Sequence, residues 1–486
     1  MSPRLLFVVA LGALASLSGA YTSAQGRGAP APLPAGQTND PFPQPIVRDQ
    51  GVITVTLREF ASLPDIAGVP ARMMTLVEEP MSRRLFVSDM RGQLYTVSAD
   101  GKAVTPYLDI SDPKWGVAVQ SQGRERGMQS FVLHPQFAQA GTPGFGKLYT
   151  YADTSNQTPA PDFTTPNAGT THDTVLLEWI ATTPGAAAYD GGAPRELIRL
   201  RQPFANHNGG ALAFNSTARP GAADYGLLYM GIADGGSGGD PMALAQNLGS
   251  AFGKVFRIDP LGRNGRGGKY GIPAANPFVS TAGALPEIFA YGVRNTQRFG
   301  WDSRNGAMYL SDIGQNIVEE VSPVTVGANL GWNVWEGSFR FVSREAVVTE
   351  SPRSDPKVTY PIVEWGQLDP VLLPNNSSAS VGVIVYRNST IPQFTGRLLF
   401  GDMPSGELFH VSADELPKGG QDPIRRVLFV TGAGTAPRTF LEILQEKNRA
   451  QGKTVATRAD MRFDADAAGR IFLLNKADGT IRMIER

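Results

Sequence analysis

Residues 84–97 read RLFVSDMRGQLYTV: an apolar segment, an acidic residue, a glycine-containing turn and a second apolar segment. Short apolar runs bounded by turn residues are the signature of paired antiparallel strands. The same unit recurs as GRLLFGDMPSGELFHV (396–411) and GRIFLLNKADGTIRMI (469–484). Looser copies run through GKLYTYADTS and TVLLEWI (146–180), GLLYMGIADGG and GKVFRID (226–259), and GAMYLSDIGQ and EEVSPV (306–324), making six in all. A repeated antiparallel unit that cannot bury its own faces predicts blades around an axis, because radial repetition leaves only short, protected sheet edges. The expectation is an all-β fold, a six-bladed β-propeller, with VITVTLREF (52–60) joining the last blade to close the ring. A pair of β-sandwiches is the alternative that regular strand spacing also allows.

Composition agrees with many short strands. The 486 residues include 55 Gly and 37 Pro, and helical periodicity is confined to the stretch around Thr439 to Ala450. Lys plus Arg and Asp plus Glu both total 44, so there is no basic field to hold nucleic acid or an anionic membrane, and small ligands are favoured. The absence of cysteine excludes thiolate catalysis, thiolate zinc sites and redox disulfides.

Residues 1–24 carry Arg4, an apolar run from Leu5 to Leu17 and small residues at Ser18, Ala20, Thr22 and Ala24, the pattern of a secretory signal peptide. The mature chain is therefore expected to be periplasmic or secreted, with no membrane span. Residues 25–50 are rich in Pro, Gly and Ala and read as a flexible linker, and residues 51–486 as one propeller domain.

Three loop segments carry candidate chemistry. In NHNGG (206–210) one of only four histidines precedes two glycines that let the backbone bend and a ligand approach. Histidine as a residue type suits a general base near neutrality, and Asp234, in IADGGSGGDP (232–241), can accept the second ring N–H of His207. A structural His-Asn turn is the other reading of that pentapeptide. DGGSGGD (234–240) lacks the alternating oxygen ligands of an EF-hand and reads first as a glycine-rich turn. In YGVRNTQRF (291–299), Arg294 and Arg298 are placed on a loop beside Asn295, suited to carboxylate recognition or simply solvated. In SDIGQNIVEE (311–320), the IGQN bend offers carbonyls beside Asp312, Glu319 and Glu320, a hard-cation pattern that acidic surface turns share.

Together these segments resemble the glucose/sorbosone dehydrogenase family, soluble sugar dehydrogenases that use pyrroloquinoline quinone (PQQ) and calcium on a six-bladed propeller. The resemblance starts at about Leu57 and includes GMQSFVLHPQF (127–137), HNGGALAF (207–214), LYMGIADGGSGGDPMALAQNLGSAFGKVFRIDP (228–260), PEIFAYGVRNTQRFGWD (286–302), SDIGQNIVEEVSPVTVGANLGWNVWEG (311–337) and VYRNSTIPQFTGRLLFGDMPSGELF (385–409). It implies that His207 is the base that takes the proton of the anomeric hydroxyl, that Asp234 orients it, and that Glu125 lies near the substrate. Arg294 and Asn295 would contact the oxygens and carboxylates of PQQ, with Arg298 in the same cofactor-binding group, and the carbonyls of Gly314 and Gln315 would bind Ca2+. The implied function is oxidation of an aldose to its lactone, with electrons passed to an external acceptor. The sequence departs from the family at Pro404, where a lysine is set against the cofactor, and in TRADMRF, where Arg458 and Arg462 stand in a different register from an expected arginine pair. Aromatic residues from Trp332 to Trp365, including Phe339, Phe341 and Tyr360, would wall the cleft or pack their own loop. Two other functions fit the same architecture: a carbohydrate- or protein-binding propeller without turnover, and a calcium-dependent lactonase.

Overall fold

The computed structural model describes residues 32–166, 171–372 and 377–486. Residues 32–35 are the described part of one compact unit, and Gly36–Arg486 form the other. The signal-peptide segment lies outside the described residues.

Each of the six sequence hairpins forms the middle two strands of a blade. The first blade orders Met73–Glu78, Leu85–Asp89, Gln93–Val97 and Val104–Asp109 as a four-stranded antiparallel sheet. Blades two, three and four repeat this plan from Met128, Leu212 and Thr296. Blade five runs from Ser380 to Val430, and blade six from Arg462 to Glu485. The strand Ile53–Ser62 pairs antiparallel with Thr480–Glu485, closing the sixth blade as the sequence predicts. It also pairs parallel with Val427–Val430, so blades five and six share one eight-stranded sheet. The innermost strands, Met73–Glu78, Met128–Leu133, Leu212–Phe214, Thr296–Trp301, Ser380–Tyr386 and Arg462–Ala465, neighbour one another in that order and return to the first.

Six hydrophobic clusters hold the ring, one between each pair of adjacent blades. Phe86 and Phe131 meet between blades one and two, Tyr151 and Met230 between two and three, and Tyr229 and Leu310 between three and four. Trp365 and Phe400 follow between four and five, Phe394 and Phe463 between five and six, and Phe472 and Leu85 between six and one. Because a blade is covered on both faces, its strands read as near-continuous apolar runs with only weak alternation. The helix Phe440–Ala450 starts at a capping box of Thr439 and Glu442 and buries Phe440, Leu441, Ile443 and Leu444 in the cluster between blades five and six. No helix among the described residues is long and apolar enough to cross a membrane.

The linker expectation is corrected for its second half. Gln37–Thr38 pairs with Val347 and Val348 at the edge of a small accessory sheet, Trp335–Glu336, Phe339–Ser343 and Ala346–Val348. Phe42 packs edge-on against Phe339, and Ile46, 1% exposed, donates its N–H to Asp369 at 2.8 Å. Two apolar side chains among the prolines are enough to dock the segment, and prolines lower the entropy lost in ordering it.

Candidate active site

In every blade, the segment entering the innermost strand and the turn after the second strand emerge on one face of the ring. The entering segments bring Arg124 and Glu125, His207 to Gly209, Arg294 and Asn295, Ser378 and Ala379, and Arg458 to the axis. The turns bring Gly314 to Asn316, Met403 and Lys476. They surround one cavity of about 370 Å³, within the range of small-molecule sites. Distant sequence segments therefore converge because of strand polarity alone.

His207 sits in the left-handed region at φ 56°, a conformation a non-glycine residue holds only when its surroundings enforce it. The enforcement is visible: its N–H donates to Glu125 Oε2 at 2.8 Å, and its Nδ1 lies 2.7 Å from Asp234 Oδ1. Its Nε2 lies 2.9 Å from Arg294 Nη2. A guanidinium can only donate, so Nε2 accepts and Nδ1 carries the proton given to Asp234. The ring is thus the neutral tautomer with its basic nitrogen toward the cavity. Asp234 also accepts from Gly236 N and from Trp332 Nε1, both at 2.9 Å. Burial opposes its ionisation, but His207, and then Arg294, outweigh burial and hold its carboxyl below the ordinary carboxylate range. The two glycines after Asn208 serve packing more than access. A Cβ on Gly210 would meet Gln129 Cβ at 2.3 Å, and its φ of 135° is one that L side chains rarely adopt.

Arg294 and Asn295 are fixed from behind by Asp312, whose carboxylate accepts their N–H groups at 2.7 and 2.6 Å. Burial, the dominant cause, pushes Asp312 up to about 6. Arg298 is a correction. It lies on the strand Thr296–Trp301 rather than on a loop, does not line the cavity, and donates to the carbonyls of Met74 in the opposite blade and of Gln297. It ties blade four to blade one across the ring.

The bend Gly314–Asn316 is shaped by a residue the sequence reading missed. Glu336 Oε1 accepts the N–H groups of Gln315, Asn316, Ile317 and Val318 at 2.8 to 3.1 Å. Four successive donors on one oxygen hold Gly314 and Gln315 at the cavity wall. Asp312 and Glu319 spend their carboxylates on backbone N–H groups, and among the described residues no group of three His, Cys, Asp or Glu is arranged to hold a metal. Asp240 likewise caps its own turn, accepting from Leu244 and Ala245.

Opposite His207 the wall is cationic. Arg458 and Arg462 both face the cavity despite their shifted register, and Lys476 joins them from the next turn of blade six. Arg462 is 2% exposed, its Nε has no partner among the described residues, and Nη1 donates to Met461 O. Burial, then Arg298, lowers it to about 9. Arg458 pairs with Asp460 at 2.9 Å, and Lys476 donates to Arg124 O at 2.9 Å. No aromatic ring other than the imidazole lines the cavity among the described residues. Trp332 reaches Asp234 from behind, Phe341 packs on Trp332, and Tyr360 on Trp335, so the expected aromatic wall is loop packing.

A buried, tautomer-locked imidazole faces a cationic wall over the axis of a six-bladed ring, so the site is a propeller cavity that sets a base opposite positive charge. The profile of the family described as Glucose / Sorbosone dehydrogenase matches residues 70–427, and the chain belongs to that family. It is 29% identical over 361 residues to the HIPL2 protein of Arabidopsis thaliana, covering 66% of this chain and 49% of that one. The chain thus spans about half the length of the curated plant relatives it matches. Among solved structures it is similar to the apo form of the soluble aldose sugar dehydrogenase of Escherichia coli, with a TM-score of 0.60, 18% identity and coverage of 88% and 98% of the two chains. It is also similar to the PQQ-bound aldose sugar dehydrogenase of Streptomyces coelicolor, with a TM-score of 0.54, 20% identity and the same coverage. At these identities the structural likeness establishes the fold.

Proposed function

We propose that this protein is an exported, PQQ- and calcium-dependent dehydrogenase that oxidises the anomeric hydroxyl of an aldose to the lactone and passes the electrons to an external acceptor. The observation that carries the reading is the pairing, in one cavity, of a neutral base with a surplus of cations. Five basic side chains, Arg124, Arg294, Arg458, Arg462 and Lys476, line it against two carboxylates, Glu125 and Asp460. A ligand with three carboxylates offsets that surplus, and the Nε of Arg462, without a partner among the described residues, can donate to one of them. The residues therefore fit PQQ: Arg458, Arg462 and Lys476 would hold its carboxylates, and Arg294 and Asn295 its quinone side. The carbonyls of Gly314 and Gln315 suit calcium, which takes oxygen ligands including backbone ones.

Bound PQQ supplies the hydride acceptor. His207 Nε2 takes the hydroxyl proton as the C–H bond breaks, and the Asp234 carboxylate stabilises the imidazolium that results. Arg294 Nη2, beside Nε2, donates to the sugar oxygen, so that oxygen enters between the two groups. Glu125 holds the His207 backbone in place and borders the sugar.

Purified protein reconstituted with PQQ and calcium should reduce a dye in a sugar-dependent way, with both additions required. His207→Ala should lower that rate by about 10² to 10⁴-fold while still binding PQQ. Saturable carbohydrate binding without dye reduction would leave a binding propeller, and calcium-dependent lactone hydrolysis without PQQ would leave a lactonase.

A further inference from the structure

Next to the base, Asn208 also lines the cavity, although it is 2% exposed. Its side-chain amide is held at both ends. Oδ1 lies 2.7 Å from Nε2 of His172, a fully buried histidine, and Nδ2 lies 3.4 Å from the carbonyl of Glu125. A carbonyl can only accept, so the atom facing Glu125 is the NH2 group and the atom facing His172 is the amide oxygen. His172 Nε2 must then carry its proton, and Nδ1 accepts from the Thr171 hydroxyl, 2.9 Å away. Burial, the leading cause, lowers His172 to about 4, so it stays neutral and its single tautomer persists through neutral pH. The chain of donors runs Thr171 to His172 to Asn208, and the second N–H of that amide has no partner among the described residues, in a residue that lines the cavity.

We propose, building on the sugar dehydrogenase reading, that Asn208 is a specificity-determining donor to a substrate hydroxyl other than the one His207 deprotonates, and that His172 is the positioning residue that keeps the amide turned to donate. The base and the donor are consecutive residues of one rigid turn, so the sugar is gripped at two oxygens by a single structural element. An amide free to flip would offer its oxygen half the time and distinguish hydroxyl patterns poorly.

The test uses the full chain loaded with PQQ and calcium, its best sugar, and the set of mono-deoxy analogues of that sugar. Wild type should lose about tenfold or more in kcat/KM on one particular analogue, the one lacking the oxygen that Asn208 meets. Asn208→Ala should abolish that one discrimination while retaining the others, and His172→Phe should weaken it with PQQ titration unchanged. A merely structural role would lower all analogues by one common factor, and that result, or undiminished discrimination in Asn208→Ala, overturns the proposal. Side-chain 15N NMR of wild type should report the Nε2-protonated tautomer of His172, and the Nδ1-protonated form would overturn the positioning role even if both variants folded poorly. Wild type that turns over no sugar at all fails at the earlier step and removes the functional reading together with this one.

Discussion

Across the cavity, the wall built by blades two to four and the wall built by blade six satisfy their polar groups in opposite ways. In the first, Asp234, His207, Arg294 and Asp312 form a continuous chain of hydrogen bonds in that order, the last through the backbone N–H of Arg294. In the second, Arg462 and Lys476 are cations with more donors than partners. A wall whose base is already oriented without ligand is preorganised for proton transfer, with only the contact between Arg294 and Nε2 to open for the sugar oxygen. A wall of desolvated, unpaired cations is costly by itself and is offset only when an anion arrives.

The comparison breaks most visibly at Asp234. Asp234→Asn keeps the size of the side chain but removes the charge that stabilises the imidazolium, and its NH2 group must face a donor, Trp332 Nε1 on one side or Gly236 N and Nδ1 on the other. The rate of sugar oxidation should fall by about 10³ to 10⁴-fold, with PQQ affinity retained. Dye-reduction kinetics check it, and near-wild-type turnover would mean that the first wall does not handle the proton.

Arg462→Leu should separate the walls in the other direction. Below about pH 9 the folded protein holds this arginine charged against a depressed pKa, so the group binds protons less readily folded than unfolded and its charge destabilises the empty protein. The leucine variant should therefore unfold at a higher temperature without ligand than wild type, yet bind PQQ about a hundredfold more weakly. A lower Tm for the empty variant would make the second wall part of the scaffold and not a receptor.

The two walls also differed in how far the sequence disclosed them. The fold was legible because six hairpins with apolar arms and a turn at the same place leave little choice but radial repetition, and the hairpins are indeed the middle strands of the blades. His207, Asp234, Arg294 and Asn295 were legible because rare or paired residue types sit in loops with unusual glycines. Arg298 misled because the strand has already begun at Thr296, and the guanidinium is spent on the carbonyls of Gln297 and Met74 instead of the cavity. Lys476 and Glu336 were hidden for a different reason. Lys476 lies inside one of the quoted repeats, at the turn after the second strand, where Asp234, Gly314 and Met403 stand in other blades. Aligning the repeats by that turn, instead of by their apolar arms, would have placed it at the axis. Glu336 works through a single oxygen on four backbone N–H groups, and backbone partners leave no mark in a sequence.

The finest test of the difference is a proton count. Burial first, then Arg462 and Arg72, lowers Lys476 well below an ordinary lysine, against the opposing pull of Asp460 and Glu125. In the empty cavity it therefore gives up its proton at a lower pH than an ordinary lysine does. An anion placed against it favours the charged form, so binding must draw a proton from solution. Calorimetry of PQQ binding across a pH series, in buffers of different ionisation enthalpy, should show proton uptake that grows as pH rises, and Lys476→Met should abolish it. The first wall predicts no such uptake, since its hydrogen bonds are already made before the ligand arrives. Uptake that persists in Lys476→Met would place the linked proton elsewhere in the cavity and erase the contrast between the walls.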